Sequence, residues 1–142
     1  MKILIQKVKY AKCFVNEKLV SEIGNGYLIY LGIENKDQHR EDKIIRKILK
    51  IKFLDQDGKF KNNFLEFKPE IMIIPNITLI SNINSNRIEF KNNPSKLIAE
   101  DIYNNILILF QDYGFNIKTG IFGSNMIIES QNDGPINFIF DF

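Results

Sequence analysis

Few side chains in this 142-residue sequence have the types and spacing that common catalytic chemistry requires. The single histidine, His39, lies at the polar start of a predicted helix, so we expect an exposed side chain and no histidine-based triad or clustered metal site. Asp55 and Asp57 suggest a calcium loop, but the remaining ligands and the terminal glutamate of an EF-hand are missing, and we expect a turn. The pair Gly24-x-Gly26 lacks the third glycine and the following helix of a dinucleotide site. Any enzymatic activity would therefore work without a cofactor or metal and largely without titrating side chains.

The composition restricts the function further. With 19 basic and 17 acidic side chains, the net charge is +2, so no global attraction to nucleic acid is expected and any RNA contact must be local. The only cysteine, Cys13, excludes an internal disulfide, and its alternating neighbours predict a buried structural thiol. No apolar run approaches the roughly 20 residues that span a bilayer, and the start lacks a signal-peptide pattern. We expect a cytoplasmic protein without membrane association.

The hydrophobic pattern predicts a single domain over residues 1–142 with a mixed α/β (α+β) fold, in which a mixed sheet carries two main helices. Apolar residues at helical spacing predict helices over 37–50 and 94–113, the second capped by Ser95 and ended by Gly114. A glycine-bounded apolar run over 27–33 predicts a central strand that is buried on both faces. The other predicted strands are residues 1–16 with a possible bulge, a return strand from Glu17-Lys18, and residues 71–74, 116–119, 126–130 and 136–140.

Three short motifs lie at the margins of these strands. The first is Asn76-Ile77-Thr78, the second runs from Thr119 to Met126, and the third is Asn132-Asp133-Gly134-Pro135-Ile136-Asn137. The third interrupts two runs that otherwise predict strands. Proline cannot donate to a β ladder and glycine weakens one, which indicates a special task for this backbone. An ordinary hairpin turn is the alternative interpretation.

The order and spacing of these motifs resemble the D-aminoacyl-tRNA deacylase family over the whole chain, Met1 to Phe142. The most specific parts are Thr-Gly-x-Phe-Gly-x-x-Met, ending at Met126, followed by Asn-Asp-Gly-Pro, ending at Pro135. The segments Gly24–Ile33 and Asp57-Gly58-Lys59 also agree with the family. The resemblance implies the family's fold, a barrel-like mixed sheet with two main helices, and a homodimer that needs no cofactor.

The resemblance further implies hydrolysis of the ester between a D-amino acid, or glycine, and the 3′-terminal adenosine of tRNA, a role in translation quality control. Because this ester is already activated, a positioned water and backbone N–H donors can suffice, at about 3 to 4 kcal/mol per oxyanion donor. By resemblance, Asn76, Ile77 and Thr78 are the catalytic segment. Thr78 has no apparent base, so we expect positioning or hydrogen bonding and not covalent catalysis. The implied substrate-binding residues are Phe122, Gly123, Met126, Gly134 and Pro135.

In the family, the Gly-Pro pair that corresponds to Gly134-Pro135 forms a cis peptide and enters the partner subunit's pocket, where its carbonyl groups exclude an L side chain. Selectivity would then come from rigid backbone and would require dimerisation. Lys7, Asn132 and Asn137 occupy positions that support this pair. Lys7 replaces a family arginine and cannot form its bidentate contacts, so the sequence leaves both a cis and a trans Gly-Pro bond open.

Other departures keep alternative functions open. Pro75-Asn76-Ile77-Thr78 stands where most members have Ser-Gln-Phe-Thr, which removes a hydroxyl and an aromatic ring. Asn137 stands where a threonine is usual. One alternative is a catalytically impaired homologue that binds the 3′ end of tRNA, a second is a deacylase with relaxed chiral specificity, and a third is a purely structural dimer.

Overall fold

The computed structural model describes residues 1–90 and 92–142, and residues 54–56 by their backbone alone. Within this part, three α-helices and ten β-strands follow one another along the chain. The helices are α1 (Glu41–Lys50), α2 (Phe64–Phe67) and α3 (Lys96–Asp112). The strands are β1 (Lys2–Val15), β2 (Lys18–Ile23), β3 (Gly26–Gly32), β4 (Leu54–Gln56), β5 (Lys59–Asn62), β6 (Glu70–Pro75), β7 (Asn82–Asn84), β8 (Arg87–Glu89), β9 (Ile117–Thr119) and β10 (Ile127–Asp141).

Six of these strands form one mixed, nearly closed sheet. Its order is β10-β1-β3-β6-β9, and β2 pairs with β1 off this path. The strand β1 pairs antiparallel with β10, β2 and β3, whereas β6 runs parallel to both β3 and β9. The two remaining pairs, β4-β5 and β7-β8, are separate hairpins. The predicted mixed α/β fold with a barrel-like sheet is confirmed.

The helices cover one face of this sheet. Four residues of α1 that recur at helical spacing are buried, namely Ile44, Ile45, Ile48 and Leu49. On α3 the buried residues are Ile102, Tyr103, Ile106 and Phe110. They pack with β1, β3 and β6 into the larger hydrophobic cluster. A second, smaller hydrophobic cluster includes Cys13, Leu28 and Ile74. Cys13 is buried in it, which confirms the prediction of a buried cysteine.

Local signals explain where the helices begin and end. The Ser95 side chain accepts a hydrogen bond from the Ile98 N–H at 3.3 Å and so caps α3, as predicted. Gly114 follows that helix with a φ of +79°, which glycine adopts without steric cost. His39 is exposed, as predicted. Among the described helices, none combines the length and the apolar character needed to cross a membrane.

The last strand differs from the prediction. The sequence predicted two short strands, 126–130 and 136–140, but both runs belong to the single strand β10. Gln6 pairs with Asn137 and Val8 pairs with Asn132, so four residues of β10 face the single residue between them on β1. The Gly-Pro pair lies inside this bulge. Because a bulge removes residues from the ladder, the strand can continue past a proline.

Candidate active site

A cavity of about 460 Å³ lies where β3 and β6 reach their carboxyl ends. Parallel strands commonly present ligand sites at this edge. The cavity brings the first motif, through Asn76 and Ile77, together with the second, through Phe122, Gly123 and Met126. The other lining residues are Leu31, Ile33, Pro75, Asn93, Pro94, Lys96, Ala99 and Ser124.

The first motif forms a short 3₁₀ turn, Ile77–Ile80, directly after β6. The Asn76 side-chain oxygen accepts hydrogen bonds from the Thr78 N–H at 3.0 Å and from the Thr78 hydroxyl at 2.5 Å. An amide oxygen is not a base that could activate the hydroxyl. Thr78 is exposed and is not among the residues that line the cavity. This geometry is compatible with a positioning role for Thr78, and no described residue that contacts its hydroxyl is a base for covalent catalysis.

Neighbouring backbone holds this turn against the sheet. The Asn76 N–H donates to the Leu31 carbonyl at 2.7 Å, which extends the β3-β6 pairing by one residue. Gly32 comes next on β3, where a Cβ atom would lie 2.8 Å from Ile80 Cγ2 and 2.9 Å from Leu79 Cβ. Real side chains do not approach so closely. The turn therefore reaches its position because Gly32 has no side chain.

The second motif forms the opposite wall. The Phe122 ring packs on Tyr103 of α3 at a centroid distance of 5.6 Å. The Tyr103 hydroxyl donates to the Ile73 carbonyl at 2.8 Å, and burial strongly raises the pKa of this tyrosine. Gly123 has a φ of +73°, and a Cβ there would lie 3.0 Å from Lys96 Nζ. The motif is thus seated on α3 through an aromatic contact and a close backbone approach.

The third motif lies apart from the cavity of its own chain. Gly134 and Pro135 are both exposed, their peptide bond is cis, and neither residue lines the cavity. Gly134 has a φ of +117° and a Cβ there would lie 2.8 Å from the Ile136 nitrogen, so only glycine fits without strain. Of the predicted substrate-binding residues, the structure brings three together in the cavity and leaves these two outside it.

Polar side chains tie the bulge to β1. The Gln6 amide donates to Asn137 at 2.9 Å, the Asn137 amide donates to Asn132 at 3.1 Å, and the Asn132 amide donates to the Lys7 carbonyl at 2.8 Å. This chain of amides closes the base of the bulge. The predicted supporting residues Lys7, Asn132 and Asn137 all lie in it.

A cluster of charged side chains also ties the bulge to β1. The carboxylate of Asp133 lies 3.2 Å from Lys7 Nζ and 3.4 Å from Lys9 Nζ. The hydrogen bond from Lys7 is the main reason why the pKa of Asp133 lies below its ordinary value. Two lysines of β1 therefore hold the residue immediately before the Gly-Pro pair.

The cavity offers an unusual set of chemical groups. Of the described residues that line it, Lys96 alone carries a formal charge, and none is a histidine, a cysteine or an acid. The N–H groups of Ile77 and Gly123 donate no hydrogen bond to any described residue. No three described His, Cys, Asp or Glu side chains cluster closely enough to hold a metal ion. The walls can therefore bind an apolar or aromatic group and supply backbone donors to an oxygen.

Comparison with known proteins identifies the family. A sequence profile described as D-Tyr-tRNA(Tyr) deacylase matches residues 4–141. The chain belongs to this family. The D-aminoacyl-tRNA deacylase of Aquifex aeolicus is 32% identical over 99% of this chain and 97% of its own length. That of Protochlamydia amoebophila is 33% identical over 99% of this chain and 95% of its own length.

Two solved structures share this fold. A protein described as c-Myc DNA Unwinding Element Binding Protein superimposes with a TM-score of 0.90 at 30% identity, covering 100% of this chain and 99% of its own. A probable eukaryotic D-amino acid tRNA deacylase superimposes with a TM-score of 0.87 at 15% identity over 99% and 98%, which shows the fold. The predictions of the family and of an enzyme of the deacylase class are confirmed.

Sequence reasoning did not place every lining residue of this deacylase-family cavity. The sequence alone does not distinguish Lys96 from other lysines such as Lys118 and Lys91, and Lys91 lies outside the described residues. Lys118 is exposed and lines a different cavity. Asn93 belongs to none of the three motifs but also lines the cavity. The Pro94-Ser95 helix start was the available signal, since it fixes where the first residue of α3 lies.

Proposed function

We propose that this chain hydrolyses the ester bond between a D-amino acid, or glycine, and the 3′-terminal adenosine of tRNA. The observation that carries the proposal is the cavity in which the first and second motifs meet. Its volume lies within the usual range of about 300–1,000 Å³ for small-ligand sites. The full-length similarity to D-aminoacyl-tRNA deacylases supports the same activity.

The mechanism follows from the groups that the cavity offers. An aminoacyl ester is activated, so the protein must position a water molecule and stabilise the developing oxyanion. The N–H groups of Ile77 and Gly123 are our candidate oxyanion donors, because both residues line the cavity and neither N–H is used by a described residue. Asn76 and Thr78 then hold the turn that presents the first of these donors.

Chiral selection is assigned to the third motif. Gly134 and Pro135 are exposed and lie outside the cavity of their own chain, which supports their insertion into the cavity of a second copy. The strand β10 is an edge strand of the main sheet, and its Ile139 side chain is 78% exposed. Edge strands with exposed apolar residues are usually covered, which supports a homodimer. Backbone carbonyls held rigidly there would exclude an L side chain and admit a D residue or glycine.

The proposal is tested with purified protein on D-tyrosyl-tRNA, L-tyrosyl-tRNA and glycyl-tRNA in the presence of a metal chelator. We expect rapid loss of the D and glycyl esters, with the L ester spared. Equal loss of D and L esters would indicate relaxed chiral specificity. Sedimentation of the same sample measures the dimer, and an active monomer would refute the role of a second copy in selection.

Variants of Thr78 test its role. Thr78→Ala should lower kcat about tenfold, since it removes one hydrogen bond that orders the turn, and Thr78→Ser should retain most of the activity. Loss of a covalent nucleophile would instead lower kcat by many orders of magnitude.

A catalytically impaired tRNA-binding protein is the second candidate. The substitutions at Pro75, Asn76 and Ile77 favour it, because these residues line the cavity where most members have a hydroxyl and an aromatic ring. It predicts a gel shift with aminoacyl-tRNA but no hydrolysis of any ester by folded, dimeric protein. A purely structural dimer predicts neither result.

A further inference from the structure

Lys96 is exposed and lies next to Gly123 of the second motif, at the rim of the cavity. It is the first residue of α3, which Ser95 caps, and it lines the cavity. A Cβ atom placed on Gly123 would lie 2.9 Å from Lys96 Cε and 3.0 Å from Nζ. The ammonium group therefore occupies space that a side chain at position 123 would otherwise fill.

The charge of Lys96 is not balanced by any described residue. Among the residues that the structure describes, no carboxylate lies within salt-bridge distance of its ammonium. The first turn of α3 contains no acidic residue. Since the amino-terminal end of a helix favours negative charge, a lysine there is unfavourable unless an anion is bound nearby. This corner of the cavity is suited to an anionic group of a ligand.

The chemistry of the substrate identifies that anion. At neutral pH the aminoacyl group carries a positive α-ammonium, and the base and ribose of the terminal adenosine are neutral. The nearest negative group is the phosphodiester that joins this adenosine to the preceding nucleotide. We propose that Lys96 binds this phosphodiester when the 3′ end of tRNA occupies the cavity, an inference that rests on the proposed function.

Asn93 completes the polar side of this corner. It also lines the cavity, and its side-chain oxygen is buried without a hydrogen-bond donor among the described residues. Buried acceptors are rarely left without a donor. We therefore assign this oxygen as the acceptor of a hydrogen bond from a hydroxyl or amino group of the same adenosine. Asn93 lies three residues before Lys96, which binds the phosphodiester in this proposal.

The test compares D-tyrosyl-tRNA with D-tyrosyl-adenosine, which lacks the phosphodiester. Lys96→Met should lower kcat/KM for the tRNA about fivefold at low salt, the upper end for an exposed ion pair, and leave the adenosine ester unchanged. It should also reduce the slope of log kcat/KM against log salt by about 0.7, the value for one phosphate on a single strand. Lys96→Arg should restore both quantities. Asn93→Ala should lower kcat/KM for both substrates.

Lys118→Met is the matched control, because Lys118 is an exposed lysine that lines a different cavity. This variant should leave kcat/KM for both substrates at the wild-type value. If Lys96→Met lowered kcat/KM equally for both substrates, or left the salt slope unchanged, the phosphate contact would be refuted. The proposed function would still stand as long as the wild-type protein was active. Wild-type protein that hydrolyses neither ester would overturn the proposed function and this inference with it.

Discussion

Replacing Gly32 by alanine should displace the 3₁₀ turn, Ile77–Ile80, that follows β6. The new Cβ would lie 2.8 Å from Ile80 Cγ2, 2.9 Å from Leu79 Cβ and 3.3 Å from the Asn76 carbonyl oxygen. Ordinary carbon–carbon contacts are about 3.5 Å or longer, so the 3₁₀ turn must move outward by about 0.7 Å. The same movement lengthens the hydrogen bond from the Asn76 N–H to the Leu31 carbonyl, now 2.7 Å.

Two quantities follow from this displacement. Overpacking of this size destabilises a protein by about 1 to 3 kcal/mol, which urea unfolding measures. A misplacement approaching 1 Å near reacting groups can lower the rate about 100-fold, so we expect kcat/KM for D-tyrosyl-tRNA to fall about 10- to 100-fold at a temperature where the variant is folded. Initial rates of deacylation, corrected for the folded fraction, measure the second effect.

Gly58→Ala separates the two effects. Gly58 has a φ of +72° in the β4-β5 hairpin, and a Cβ there meets no described atom within 4 Å. Alanine in this conformation costs about 1 to 2 kcal/mol without a clash. The control should therefore lose stability and keep its activity. If Gly32→Ala lost stability while kcat/KM stayed at the wild-type value, the turn after β6 would not be part of the reacting site.

Three further predictions concern charged residues. Asp37→Asn should destabilise the fold by about 3 kcal/mol in urea unfolding, because the fully buried carboxylate accepts a hydrogen bond from the Met1 ammonium at 2.7 Å. A loss of less than about 1 kcal/mol would contradict this account. Burial raises the pKa of Glu34, but hydrogen bonds from the Met1 ammonium and a neighbouring lysine outweigh this effect and leave the pKa below its ordinary 4.5. The stability that Glu34 contributes is therefore present above pH 4.5 and should fall as the pH drops further. In Glu34→Gln the free energy of unfolding should depend less on pH over this range. Asp133→Asn should leave the midpoint of urea unfolding unchanged and increase hydrolysis of the L ester several-fold, because it breaks the ion pair with Lys7 beside the Gly-Pro pair. An unchanged ratio of D to L hydrolysis would mean that this ion pair does not order the Gly-Pro pair.

Much of the fold could be predicted because its signals are local. The glycine-bounded run over 27–33 became β3, and the cap and stop signals around Ser95 and Gly114 bound α3 to within two residues. The helix α2 was missed because four residues are too few for a periodic pattern. Its signal was a capping box, in which Asn63 and Glu66 exchange hydrogen bonds of 3.0 Å with each other's N–H groups.

The single strand β10 could not be predicted from its own residues. Its pairing partner β1 lies more than a hundred residues away, and the ladder resumes on both sides of the bulge because β1 offers partners at Gln6 and Val8. Within the segment itself, Gly134 and Pro135 correctly indicate that pairing stops. Only the distant strand decides that it starts again in the same sheet.

The cavity residues likewise divide into those that local sequence predicts and those that only the folded structure brings in. Asn76, Ile77 and Phe122 belong to motifs with their own spacing, whereas Lys96 joins them only because α3 starts beside the second motif. What makes that approach possible is an absence of atoms, since Gly123 leaves the space that the Lys96 side chain occupies.

Gly32 and Gly120 act similarly, one beneath the first motif and one against Met126 and Ile74. In a cavity with a single charged residue among those described, catalytic groups of the usual titrating kind give no sequence signal. The informative positions are instead the glycines, because each marks a place where backbone must come close to the residues that line the cavity.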